Sequence, residues 1–191
     1  FFDAGILIGI GSLFYESIIW LGLLTIVGIL IIRTGNLKEI GVAILGLFTP
    51  FLITTGLYYV LGKDLSPFFS EINQNLFGES VDYFFSKLEI VAIIYAGLIL
   101  TISIIFLVRG MNSKKIKARK TFSILLWSLF ISLIVYFALP SVSVEMIWVA
   151  AIPASYSLAH YFVFAKKKIL PEIIFSGLFL IILLVQAFHI F

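Results

Sequence analysis

The sequence predicts an all-α protein: a polytopic integral membrane bundle of about seven spanning helices, with one amphipathic helix at the membrane surface. Three observations lead there. Of the 191 residues, 62% are hydrophobic and 12% charged, where soluble domains run at about half and a quarter. That leaves too few charges to coat a water-soluble globule. Most apolar runs have no polar face. Finally, Lys and Arg gather at the ends of those runs, most densely in RGMNSKKIKARK from Arg109 to Lys120, which holds six positive charges and no negative one.

The first run lies within residues 1–15. It is short for a span, which takes about 20 residues. The chain opens on Phe1 and shows no charged leader region, so residues 1–191 read as the C-terminal part of a longer protein whose upstream residues complete this span. Gly5, Gly9 and Ser12 give one helix face small residues at a spacing that lets another helix approach closely. Glu16 then interrupts. A carboxylate between two apolar helices belongs at the water interface or in a functional cavity.

Residues 17–32 form the second span, followed by the polar turn RTGNLKE with Gly35-Asn36 at its bend. The third span covers 40–61. Pro50 near its centre frees the Gly46 carbonyl one turn back, and Thr49, Thr54 and Thr55 are placed to bond freed backbone groups. The kink reads as packing.

Residues 62–87 form a longer connection. Phe68, Phe69, Ile72, Leu76 and Phe77 recur at helical spacing between polar residues. Ser66-Pro67 reads as a helix start, with Ser as cap and Pro at the first helical position. The reading is an amphipathic helix in the headgroup layer, its apolar side facing lipid or a partner. The remaining spans cover 88–108, 121–139, 146–165 and 170–191, with a short link from Pro140 to Glu145.

Charge sets the orientation. With the Arg109–Lys120 stretch in the cytoplasm, alternation places eleven of the thirteen Lys and Arg residues on that side, including Arg33, Lys38 and Lys166 to Lys168. Lys63 and Lys87 alone fall outside. Three separate basic loops thus obey the positive-inside rule, which predicts a multi-pass bacterial inner-membrane protein with segment 62–87 outside. The pI near 9.1 reflects these loops and not a nucleic-acid surface. Arg109, Lys114, Lys115, Lys117, Arg119 and Lys120 are assigned to anionic-lipid contact.

Chemistry is sparse. No cysteine is present, which excludes disulfides and thiolate ligands. No phosphate-binding glycine loop, zinc motif or nucleophile elbow occurs, and no cofactor is identified. His160 and His189 fall in different halves of their spans and do not form a metal site. His160, with Tyr156 and Tyr161 nearby, reads as a packing residue before a proton relay. Candidate chemistry lies on the outer rim: Glu16 and Glu145 in short connections, and Asp64, Glu71, Glu79 and Asp82 in the long one. Glu16 and Glu145 are the assigned catalytic candidates, as general bases toward a sugar acceptor. Such rim carboxylates also suit a divalent cation holding a diphosphate.

The run FFDAGILIGIGSLFYESIIWLGLLTIVGILIIRTGNLKEIGVAILGLFTPFLI resembles the middle of an uncharacterised family of bacterial multi-pass inner-membrane proteins. It is more distantly similar to the membrane half of C-type glycosyltransferases, which use polyprenyl-phosphate sugars. The resemblance covers the first 60 residues or so and lies in hydropathy and glycine placement. It implies a catalytic Asp in an outer loop that would precede Phe1, so no catalytic role carries over to a numbered residue. Two functions follow with equal weight: a glycosyltransferase-like enzyme acting on a polyprenyl-linked sugar at the outer face, or a non-catalytic subunit of a membrane complex with other membrane subunits as partners. A lipid or solute transporter comes third.

Overall fold

A computed structural model describes residues 1–32, 37–78, 86–139, 141–165 and 169–190, with side chains through residue 187. The turn at Arg33, the acids Glu79 and Asp82, Pro140, Lys166 to Lys168 and the His189 side chain lie outside these described residues.

The described residues form helices: α1 (Phe2–Phe14), a 3-10 segment (Glu16–Leu21), α2 (Gly22–Ile32), α3 (Leu37–Val60), α4 (Ser66–Phe77), α5 (Lys87–Met111), α6 (Ile116–Ala138), α7 (Glu145–Phe164) and α8 (Ile169–Ile190). Five of them, α3 and α5 to α8, are long and apolar enough to cross a membrane. The protein is therefore a multi-pass membrane protein. The first two predicted spans are shorter apolar helices. At 1.5 Å per residue, α1 is only about 20 Å long, against about 30 Å of hydrocarbon. The second is not one α-helix: it begins as the 3-10 segment, whose rise of about 2.0 Å per residue stretches Glu16–Ile32 to about 28 Å.

The chain divides into two compact units, residues 1–81 with 116–151 and residues 82–115 with 152–191. The first unit is organised by α1 against α3. A Cβ on Gly5 would strike the Ala43 carbonyl, one on Gly9 the Leu47 carbonyl, and one on Gly46 the Phe2 carbonyl. Positions rising along α1 meet positions rising along α3, so the two helices run parallel, backbone against backbone. Pro50 belongs to this seam, with its ring 3.0 Å from where a Gly9 Cβ would lie. It packs, as its sequence position suggested. Thr49 donates to the Leu45 carbonyl and Thr55 to that of Leu52, at 2.7 and 2.9 Å, not to Gly46. On another side, Ile131 and Val135 of α6 join Val142 and Met146 in a buried cluster. Tyr15, Trp20, Leu21, Leu24 and Val27 pack on it.

Local signals explain the helix ends. Gly62, at φ +64°, closes α3 in a Schellman turn: its N–H donates to the Tyr59 carbonyl at 3.1 Å, and Lys63 N–H to that of Tyr58 at 2.9 Å. The cap of α4 differs from expectation. Ser66 is already helical, and its N–H donates to Asp64 Oδ1 at 3.0 Å, because an Asp two residues back reaches the exposed amide. The twelve-residue basic stretch is mostly helical: α5 runs through Met111 and α6 starts at Ile116, leaving residues 112–115 as the turn.

In the second unit, α5 buries Ile99, Ser103 and Leu107 along one stripe and opens with a capping box of Ser86 and Glu89. Tyr95 Oη donates to the Ile174 carbonyl of α8 at 3.2 Å. His160 is buried, its ring 5.9 Å from Phe106 and 4.8 Å from Phe164, and Phe162 meets Phe175 edge-on at 5.6 Å. His160 sits in an aromatic packing layer.

Candidate functional site

The site forms where α1 ends. Tyr15 leaves the helix in an extended conformation (φ −145°, ψ 101°), and the chain re-enters at once as the 3-10 segment. This corner leaves Glu16 half-buried between two apolar helices. Its Oε1 accepts the Asn75 side-chain amide of α4 at 3.1 Å. The two residues lie 59 positions apart, and nothing local marks them as partners.

Glu16 borders two polar cavities. One, of about 430 Å³, is lined by Tyr15, Glu16, Ser17, Gln74, Asn75, Gly78, Ser141 and Ser143. The other, of about 200 Å³, is lined by Ser12, Leu13, Glu16, Tyr58, Phe68, Glu71 and Ile72. Glu71, a rim acid in the sequence, therefore faces a cavity that Glu16 also faces. Asp64 is taken up by its capping role.

Glu145 is exposed in the first turn of α7 and hydrogen-bonds the Ser143 side chain. Ser143 Oγ is in turn 3.0 Å from Tyr15 Oη, and Tyr15 also donates to the Ser143 carbonyl at 3.4 Å. A chain of polar contacts thus runs from Glu145 through Ser143 to Tyr15, the residue before Glu16. Glu16 lines the cavity directly, whereas Glu145 touches its wall through Ser143. Sequence reasoning missed Tyr15, Asn75, Ser141 and Ser143. The pattern Ser141-x-Ser143-x-Glu145 was the available signal.

α4 covers this corner, and none of its residues is fully buried. Phe68, Ile72 and Leu76 are half-buried at successive turns, and the Phe68 ring is 5.5 Å from Tyr58. Ser141 Oγ donates to the Leu76 carbonyl at 2.6 Å. Phe77 meets Trp20 edge-on at 6.4 Å yet stays largely exposed, as does Phe69. The five apolar residues therefore split by burial: Phe68, Ile72 and Leu76 are half-buried, while Phe69 and Phe77 keep most of their surface exposed.

Among the described residues no three His, Cys, Asp or Glu side chains come together as a metal site. The chain matches DUF6427 over residues 1–191. It belongs to that family, whose function is unknown. No curated protein and no solved structure matches it. This DUF6427 member presents a half-buried carboxylate, amides and hydroxyls around a pocket, and an amphipathic cover.

The basic residues of the 109–120 stretch have diverging surroundings. Lys120 Nζ donates to the Ile32 carbonyl at 2.8 Å, satisfying an orphan acceptor at the end of α2. Lys114 Nζ sits 4.7 Å from the centre of the Phe164 ring, within cation–π range. Arg109, Lys115, Lys117 and Arg119 are exposed.

Proposed function

We propose that this membrane protein engages a lipid-borne group at one membrane–water boundary, with the Glu16 cavity as the head-group site. The observation carrying this reading is the position of Glu16. A carboxylate between two apolar helices needs hydrogen-bonding partners; Asn75 of α4 supplies one, and the hydroxyls of Ser141 and Ser143 line the same cavity. Both cavities beside it are roofed by a helix with an apolar stripe, the arrangement suited to admitting a polar head from the membrane surface.

In its finer form, the site belongs to a glycosyltransferase-like protein of the bacterial inner membrane. It acts on a polyprenyl-linked sugar at the outer face, with the basic loops in the cytoplasm. Glu16 takes the proton of a sugar hydroxyl as general base, and Glu145 supports the cavity wall through Ser143. A divalent cation between Glu16 and Glu71 would screen the phosphate of such a substrate. Seven spans, including the two short apolar helices, complete this topology.

The test is complementation of a deletion strain by Glu16→Gln and Glu145→Gln at matched expression. Loss of complementation by Glu16→Gln with normal protein levels is the expected result. Full complementation by both variants overturns the catalytic reading and favours a second one, a non-catalytic subunit of a membrane complex. That alternative draws on α8, whose apolar window is only 6% buried within this chain, leaving a long helical face open to a partner helix.

A further inference from the structure

We infer that the Glu16 cavity and an apolar groove beside it hold the head and tail of one lipid, and that its head group carries an ammonium. This rests on the lipid-engaging reading above in its general form, not on the polyprenyl-linked sugar, and names a different lipid class for the resting site. The groove, of about 360 Å³, runs between α2 and α3 under the end of α4, with Leu23, Ile26, Ile44, Leu47 and Phe48 among its walls. A concave apolar surface at this depth of a membrane protein takes a hydrocarbon chain.

Groove and cavity share two walls. The 3-10 segment gives Glu16 and Ser17 to the cavity and Ile19 and Trp20 to the groove. The last turn of α4 gives Gln74 and Asn75 to the cavity and Leu76 and Phe77 to the groove. A lipid crossing this edge changes from apolar to polar surroundings within one helical turn. At the edge, Trp20 lines the groove and packs on the buried cluster of Ile131, Val135, Val142 and Met146.

Charge selects the head. Among the described residues, those lining the cavity are one carboxylate, two amides, hydroxyls and a glycine, with no Lys or Arg. On its other face Glu16 shares a cavity with a second acid, Glu71. Such surroundings attract a cation and repel an unscreened phosphate. Asn75 occupies one oxygen of Glu16, while a carboxylate accepts up to about four hydrogen bonds, so capacity for an ammonium remains. The phosphodiester of a zwitterionic lipid then lies toward the Gln74 amide.

The experiment is native mass spectrometry of the full chain. The protein is equilibrated with vesicles of equal parts phosphatidylethanolamine, phosphatidylglycerol and an uncharged glycosyl diacylglycerol. The wild type is expected to retain phosphatidylethanolamine about tenfold over the other two, the scale of one charge-assisted hydrogen bond. Glu16→Gln keeps the bond to Asn75 and should lose the preference, while Ile44→Trp fills the groove and should lower retention of all three lipids. Equal retention of phosphatidylethanolamine and phosphatidylglycerol overturns the proposal, as does a preference that survives Glu16→Gln or wild-type retention by Ile44→Trp. Preferred retention of the glycosyl lipid overturns the ammonium assignment and leaves the lipid-engaging reading standing. Retention of no lipid, by protein that melts as a folded chain, removes both.

Discussion

The α1–α3 seam and the α4 cover lie in the same unit and are built on opposite principles. The seam brings two backbones together through Gly5, Gly9, Ala43, Gly46 and Pro50, with no room for any side chain to adjust. The cover has no fully buried residue and rests on scattered contacts: Asn75 to Glu16, Ser141 to Leu76, and Phe68 against Tyr58. Close packing over many atoms is rigid and intolerant of added volume. A few exposed hydrogen bonds and half-buried rings open locally at low cost. The difference suits the proposed site, which would hold Glu16 in place while a lipid head enters beneath α4.

The largest expected effect breaks the rigid side. Gly9→Leu drives a side chain into the Leu47 carbonyl and the Pro50 ring and should cost about 3 kcal/mol or more. Thermal unfolding in detergent would show loss of the folded chain, and a melting curve like wild type would mean that the seam yields. Next comes the cover. Phe68→Ala removes a half-buried ring and should cost about 1.5 kcal/mol, read as faster amide exchange in α4 with α1 and α3 unchanged. A uniform increase across all three would show that α4 is not a separate opening unit.

Ser141→Ala is smaller. It removes the Ser141 hydroxyl from the Leu76 carbonyl at the end of α4 and should cost about 1 kcal/mol. Exchange at residues 74–78 is the readout, and no change there would assign the bond no holding role. The smallest stability effect should come from Glu16→Gln, within about 0.5 kcal/mol, because the amide oxygen still accepts from Asn75. A large drop in melting temperature would make Glu16 a structural residue and weaken its functional assignment.

Much of this layout is legible in the residues. The glycine spacing of α1 marks a close-packing face, and Gly5 and Gly9 are where α3 arrives. The periodicity of Phe68, Ile72 and Leu76 marks α4, whose stripe is half-buried. The Ser86-x-x-Glu89 cap was readable by its spacing and went unread. Asn75 beside Glu16, Ser143 beside Tyr15 and Lys120 beneath Ile32 were not readable. They join positions 59, 128 and 88 residues apart, and their meeting depends on how whole helices are placed.

Sequence alone determined the solvent and the segmentation, since apolar runs and charged ends reflect transfer free energies that each stretch carries by itself. Tertiary structure decided that the second apolar stretch opens as a 3-10 segment, that α4 half-buries three of its apolar residues and leaves two largely exposed, and that Glu16 gains Asn75 while Glu145 gains Ser143. A polar side chain can bond many partners equally well. Only the packing of the apolar helices around it fixes which one comes within reach.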